Sequence, residues 1–286
     1  MPTNRLSKIQ EIELIANELR QTVIKMLLEA KSGHSAGPLG TAEIFATLYF
    51  EILNIDPKNT NDPNRDRLVL SAGHICPILY ATLAHKGFFE KKELLTLRKF
   101  GTRLHGHPHN LALPGIENSS GPLGQGLSQG IGMALAAKMD SRNYRVYVIG
   151  SDGELQEGQI WEAAMFAPKN RLNNLTWIID RNNIQIDGYT EDVMPLEPLR
   201  DKLEAFNWYV IEIDGHNVEE IMSALNMSKA IFERPTVIIA HTIPGKGVDF
   251  MQYKFAWHGK PPSEKEARVA LAQLRSLKGQ IKSENE

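Results

Sequence analysis

The chain has almost no cysteine. Cys76 stands alone among 286 residues, which excludes an internal disulfide framework and fits a reducing compartment. No apolar run approaches the roughly 18 residues of a membrane helix. The opening residues, MPTNRL, lack the apolar core of a signal peptide. Neither sign of charge dominates: 32 basic against 34 acidic residues leave a net of −2. That is too little positive charge for a dedicated nucleic-acid binder, although it leaves room for a local basic patch. A hydrophobic fraction of 42% is enough to bury a core and sets disorder aside. At about 150 residues per domain the length allows one or two domains, or one large α/β domain. A soluble cytoplasmic protein is the expectation.

Periodicity supplies the organisation. Ile12, Ile15, Ala16, Leu19, Val23, Met26, Leu27 and Ala30 recur at steps of three and four, a helix that stops at Ser32-Gly33-His34. A second helix is expected over 41–53, closed by Asp56-Pro57. Residues 67–71 read as a short strand and 77–86 as a helix. Residues 101–126, rich in Gly, Pro, His and Asn, read as a long functional loop. The second half alternates strand candidates (145–149, 175–179, 209–213, 236–240) with helix candidates (159–167, 196–206, 218–232). This alternation predicts an α/β fold, a three-layer arrangement of a parallel sheet with helices on both faces. Residues 245–262 read as a second long polar loop. Ser263 opens a last helix with Glu266 at capping-box spacing, and the tail from Lys278 is expected to fray. Without internal repeat or linker, residues 1–286 read as one domain.

The segment from Ile149 to Gly188 carries the chemistry. Asp152 follows one predicted strand and Asn182 the next. In a parallel sheet both then stand at the carboxyl-terminal edge, where open α/β folds bind ligands. A carboxylate, an amide oxygen and a nearby carbonyl are hard ligands for Mg²⁺ or Ca²⁺, and Mg²⁺ commonly shares such a site with phosphate oxygens. Gly153 lets a phosphate approach the backbone, and the following helix turns its amino terminus toward the same place. The chemistry suggests a site for a divalent metal and a diphosphate. The plain alternative is a helix cap at Asp152 and a turn at Asn182-Asn183.

Asp152-Gly153, 28 further residues and Asn182-Asn183 resemble the thiamine diphosphate motif of transketolases. Ser151 stands where that motif usually has its first glycine, which leaves Asp152 and Gly153 in place. The resemblance runs along nearly the whole chain, in the family's order. It takes in Ser32-Gly33-His34, Ser71-Ala72-Gly73-His74, Gly106-His107-Pro108 and the Gly121–Gly126 run GPLGQG. It continues through Glu154–Gly158, Trp161–Ala164, Ile186-Asp187-Gly188, Asp214-Gly215-His216 and Trp257–Pro261.

The resemblance implies a thiamine diphosphate-binding fold, specifically the diphosphate domain, and a set of roles. Asp152 and Asn182 would hold Mg²⁺ (Ca²⁺ being possible) through side chains, and Ile184 through its carbonyl. Gly153, Glu154, Asn182, His74, His258 and the backbone of Gly121 and Leu123 would contact the cofactor. His34, His74, His107 and His258 would face the sugar. Ketol transfer requires protons to leave and return at hydroxyl and carbonyl oxygens, work suited to histidine near neutral pH. His258 matches only members with the Trp-His-Gly-Lys-Pro form; others place a histidine where this chain has Phe255. Glu157 would join a carboxylate network across the interface with a partner, its plain alternative being an exposed first-turn acid. Trp161 reads as core or interface. His216 is as readily structural as functional, and Lys246 either reaches a phosphate or is solvated. His105, His107 and His109 have no cysteine or acid beside them to make a zinc site.

Members of the family build each site from two α/β domains, and this chain resembles the first alone. The resemblance therefore implies the amino-terminal subunit of a split transketolase. A second chain would supply the pyrimidine domain and its activating glutamate, with two copies of each chain. The reaction implied is transfer of a two-carbon ketol unit from a ketose phosphate to an aldose phosphate. Alternatives are a branched-sugar transketolase, a dihydroxyacetone or deoxyxylulose-phosphate synthase, and a non-catalytic cofactor-binding module. A nucleotide-binding oxidoreductase is disfavoured: Gly124-Gln125-Gly126 lacks the GxGxxG spacing, and Gly245-Lys246-Gly247 is not a Walker loop.

Overall fold

The computed structural model describes residues 2–277; the expected frayed tail from Lys278 lies outside them. The first half contains helices α1 (Pro2–Ala30), α2 (Ala36–Gly40), α3 (Ala42–Thr47), α4 (Cys76–Lys86) and α5 (Gln125–Met139), with strand β1 (Arg67–Leu70) before α4. Next come β2 (Val146–Ser151), α6 (Gly158–Lys169), β3 (Leu175–Arg181) and a small hairpin, β4 (Ile184–Gln185) and β5 (Gly188–Tyr189). Then follow α7 (Thr190–Val193), α8 (Leu199–Ala205), β6 (Tyr209–Asp214), α9 (Val218–Ala230), β7 (Thr236–His241) and α10 (Glu264–Leu277).

Five strands form one parallel sheet in the order β1-β2-β3-β7-β6. Alternate residues of each strand enter opposite cores. Leu68, Leu70, Tyr147, Ile149, Ile178 and Ile238 pack under α1, α3, α4, α9 and α10. Val69, Val146, Val148, Trp177, Ile179 and Val237 pack under α5, α6 and α8. A sheet buried on both faces reads as continuous apolar runs, and the three-layer expectation holds. Among the described residues no helix is long and apolar enough to cross a membrane.

The differences from the sequence reading have physical causes. The helix expected over 41–53 is divided into α3 and a π-helical turn at Leu48–Ile52, and the short α2 precedes it. Helix α5 starts at the end of the expected 101–126 loop and runs through residues where the sequence reading places no element. Its glycines are packing positions: a Cβ at Gly130 would overlap Val148 Cγ2, so contact with the sheet overrides local propensity. Helix α8 begins at Leu199 rather than 196: Pro198 stands at its N-cap position, and the Glu197 carboxylate accepts the Leu199 N–H at 2.8 Å. The 245–262 segment is not a polar loop, since Val248, Met251 and Trp257 are buried in it. The capping box forms: Ser263 N–H donates to Glu266 Oε2 at 2.8 Å, and Glu266 N–H to Ser263 Oγ at 3.4 Å.

One polar network crosses the first core. Arg20 of α1 pairs bidentately with Glu43 of α3 at 2.6 and 2.5 Å and donates to Leu39 O at 2.8 Å. His216 Nε2 accepts the Ile243 N–H at 2.7 Å, so Nδ1 carries the proton and donates to Glu43 at 3.1 Å. Burial opposes ionisation of Glu43, but Arg20 and His216 together hold its carboxyl down at about 2. His216, buried and fully engaged, takes its structural reading.

Candidate active site

The register of the sheet sets the floor of a cavity. Ser151 of β2 is paired with Asp180 of β3, so Asp152 and Asn182 leave adjacent strands at the same edge. Asp152 is fully buried. Its Oδ1 accepts the Gly153 N–H at 2.8 Å, while Oδ2 accepts Asn183 N–H at 2.6 Å and Arg181 Nη1 at 3.1 Å. Asn183 takes a left-handed conformation (φ +61°), which asparagine tolerates. It lets the chain turn its amides back toward Asp152. Asn182 donates to Asp180 Oδ2 at 2.7 Å and accepts the Ile184 N–H on its own Oδ1 at 3.0 Å. Asp180 also accepts the Thr242 hydroxyl.

Above this edge lies a cavity of ≈390 Å³. His34, His74, His107 and His258 line it, together with Gly121, Leu123, Gly153, Glu157, Asn182 and Ile184. Residues from segments far apart in sequence meet there because glycines permit close approach. Gly33 (φ +123°) reverses the chain after α1 to present His34. A Cβ on Gly73 would stand 2.5 Å from Ser120 Oγ, so the bare backbone lets the His74 turn nest against the 119–121 loop. The rings of His34, His74 and His258 form a triangle with centroids 5.0, 5.1 and 5.4 Å apart.

Burial and mutual repulsion favour neutral imidazoles. His34 is pushed down to about 4 by burial, then by His258, Arg98 and His107. His74 falls well below its usual range by burial, then by the neighbouring histidines. His107 and His258 are lowered too, by burial first and, for His107, by Arg98. Neutral imidazoles can both donate and accept at a hydroxylated ligand.

The floor has the opposite character. Burial pushes Asp152 up to about 6, against the pull of Arg181 and the Asn183 and Gly153 amides, and raises Asp180 to about 7. The donor chemistry fits a hard divalent cation: a buried carboxylate, the Asn182 amide oxygen and the Ile184 carbonyl lie along one edge. The approach to Gly153 is open, since a Cβ there would meet only Gln185 Cβ, at 3.5 Å. Among the described residues no group of three His, Cys, Asp or Glu side chains has metal-site geometry; the oxygen set at this edge is of another kind.

Not every sequence candidate lines the cavity. Glu154 is buried behind it: Oε1 accepts Ser71 Oγ at 2.6 Å and Gly124 N–H at 2.8 Å, and Oε2 accepts Ser151 N–H at 3.1 Å. It braces the glycine loop before α5 against β2. Lys246 is buried, not solvated, and does not line the cavity. Trp161 donates to Leu155 O at 2.9 Å and stacks near Phe206, a packing role. His105 and His109 face each other with ring centroids 5.8 Å apart and do not line the cavity. Sequence reasoning missed Arg181, a buried cation between the two floor residues, and Asp180, which holds the Asn182 amide. Their signal was weak: two charged residues ending an otherwise apolar strand.

Beside the mouth lies an apolar shoulder. Ile186 is 63% exposed and Met194 56%, and Tyr189 packs edge-on to Phe255 with centroids 5.5 Å apart.

Residues 12–278 match the family model described as transketolase, thiamine diphosphate binding domain. A 6-deoxy-6-sulfo-D-fructose transketolase subunit from Clostridium sp. (strain MSTE9) is 46% identical over 267 residues, 93% of this chain and 97% of its own length. One of the subunits of an apulose-4-phosphate transketolase from Phocaeicola vulgatus is 40% identical, covering 97% of this chain and 99% of its own. Transketolase from Campylobacter jejuni superposes with a TM-score of 0.87 at 34% identity, over 93% of this chain and 43% of that one.

Proposed function

This chain belongs to the transketolase family and carries its thiamine diphosphate-binding domain, and from that premise we propose that it is the amino-terminal subunit of a two-chain transketolase. Its near-complete coverage of two relatives named as subunits, against 43% of a longer transketolase, supports this reading. In it the chain supplies the diphosphate domain, and a second chain brings the pyrimidine domain, with two copies of each. The apolar shoulder of Ile186, Tyr189, Met194 and Phe255 is the surface such a partner covers. Glu157, exposed at the cavity rim, then meets the partner's side of the site.

The observation that carries the reading is the convergence of His34, His74, His107 and His258 over the Gly153, Asn182 and Ile184 edge. Asp152, Asn182 and the Ile184 carbonyl would hold Mg²⁺, and Gly153, Gly121 and Leu123 would offer backbone to the cofactor's diphosphate. Thiamine diphosphate, when bound, supplies the carbon nucleophile and electron store that ketose cleavage needs. His74 would contact the cofactor and face the sugar. His34, His107 and His258 orient the sugar hydroxyls and move protons at its oxygens. The substrates are sugars bearing an anionic group, since the relatives are named for a sulfo-sugar and a sugar phosphate.

The test is reconstitution. The chain is combined with its co-purifying partner, thiamine diphosphate and Mg²⁺, and products are identified with xylulose 5-phosphate, apulose 4-phosphate and 6-deoxy-6-sulfofructose as donors. Ketol transfer from one of them is expected. No transfer from any donor, with partner and cofactor both verified in the complex by native mass spectrometry, overturns the reading.

A further inference from the structure

Arg98 has no part in the roles proposed so far, yet it donates to the Ser32 hydroxyl and the Gly106 carbonyl, just ahead of two of the cavity histidines. It follows a short 3₁₀ turn at Lys91–Thr96 and takes a left-handed conformation (φ +59°) unusual for arginine. Its N–H donates to Leu104 O at 2.9 Å, which fixes that conformation. From there Nη1 donates to Ser32 Oγ at 2.9 Å and Nη2 to Gly106 O at 3.3 Å. Ser32 stands two residues before His34, and Gly106 immediately before His107. Both loops lie against the guanidinium: a Cβ on Gly106 would stand 2.8 Å from Arg98 Cζ, and one on Gly33 3.8 Å from Nε. No carboxylate pairs with Arg98 among the described residues.

We infer that Arg98 is a positioning residue for the sugar-facing histidines: its guanidinium fastens the His34 loop to the His107 loop and places a fixed positive charge beside both. The fork spans two loops that share no backbone hydrogen bond ladder, so the relative placement of His34 and His107 depends on it. Its charge acts in the same direction as burial on both rings. The other titratable groups facing His34 are His74, His258 and His107. Glu157 and Asp187 line the same cavity, and their carboxylates oppose Arg98. Without Arg98, two carboxylates would face the imidazoles with no fixed cation from this side to offset them. This rests on the reading of those histidines as sugar-facing. Its test reads protonation without turnover, so the two ideas fail separately.

The experiment is a pH titration of histidine-labelled full-length chain by NMR, in the wild type, Arg98→Gln and Arg98→Lys. Arg98→Gln removes the charge and is expected to raise the midpoints of His34 and His107 by roughly half a pH unit or more, the scale of one charge a few ångströms away at a partly exposed site. Arg98→Lys keeps the charge and leaves both midpoints near wild type. The His216 signal, in the separate Glu43 network, stays put in all three and reports an intact fold. Unmoved His34 and His107 midpoints in folded Arg98→Gln overturn the inference. Should that variant not fold, salt dependence in the Glu157→Gln, Asp187→Asn double variant decides, because there salt screens Arg98 without the opposing carboxylates and leaves the burial cost unchanged. A His107 midpoint that climbs with ionic strength supports the inference, and a flat one overturns it.

Discussion

Arg181 Nη1 lies 3.1 Å from Asp152 Oδ2 in an ion pair closed off from solvent. The same guanidinium reaches Glu191 at 2.6 Å and Glu197 at 3.0 Å. One cation thus compensates the carboxylate at the cavity floor and ties it to the segment around α7.

Removing that cation has a signature that depends on the cofactor. Arg181→Met leaves Asp152 buried with amide partners only, so the cofactor-free chain loses about 3 kcal/mol. On the proposed function, Mg²⁺ bound with thiamine diphosphate would restore positive charge at the same carboxylate, so the deficit is expected to narrow in the loaded chain. Thermal unfolding with and without both ligands measures the two gaps. Equal gaps would count against a metal at Asp152.

Two glycines separate binding from folding. A methyl on Gly153 meets only Gln185 Cβ at 3.5 Å, an ordinary contact, so Gly153→Ala keeps its stability within about 1 kcal/mol. The methyl stands in the cavity, and affinity for Mg²⁺–thiamine diphosphate drops at least about tenfold where backbone must approach phosphate. A methyl on Gly126 overlaps Ser71 Cβ and lies 2.5 Å from its Cα, so Gly126→Ala costs about 2 kcal/mol by overpacking. Calorimetric titration and denaturant unfolding separate the two outcomes.

Replacing His34 or His258 by alanine lowers kcat/KM about a hundredfold if each moves a proton, and for His34 cofactor affinity is little changed. The reconstituted enzyme is the place to measure it. A comparable loss of cofactor affinity would reassign His34.

Glu43 makes stability depend on acid. Its folded carboxyl lies at about 2, below the ordinary 4.5, so the unfolded chain binds its proton first as pH falls. The stabilisation is fully present above about pH 4.5 and is lost as pH drops toward 2. Glu43→Gln strands Arg20 and costs about 3 kcal/mol at neutral pH. It also flattens the acid dependence in urea unfolding.

The sheet was legible because buried parallel strands are apolar runs, and those at 145–149, 175–179, 209–213 and 236–240 each survive with ends shifted by two residues at most. The cavity histidines were legible because each sits beside glycine in a loop motif. What stayed hidden depended on tertiary contact. Gly126 reads as the end of a loop until Ser71 is placed against it, and nothing local to Gly130 announces its contact with Val148. Glu154 reads as a site residue until Ser71, Gly124 and Ser151 are seen to use both its oxygens. Arg20, Glu43 and His216 are scattered through the chain, and no local pattern announces that they meet.

The register of Ser151 against Asp180 has a consequence for the order in which the molecule opens. The cavity floor belongs to central strands laddered on both sides, whose amides exchange with solvent only in the rarest global openings. The histidine wall hangs from separate loops, which open at far lower free energy. On warming, the wall therefore loses its alignment before the floor loses its shape. On the proposed function, such a chain would pass through a state that still grips a diphosphate but has stopped handing on protons.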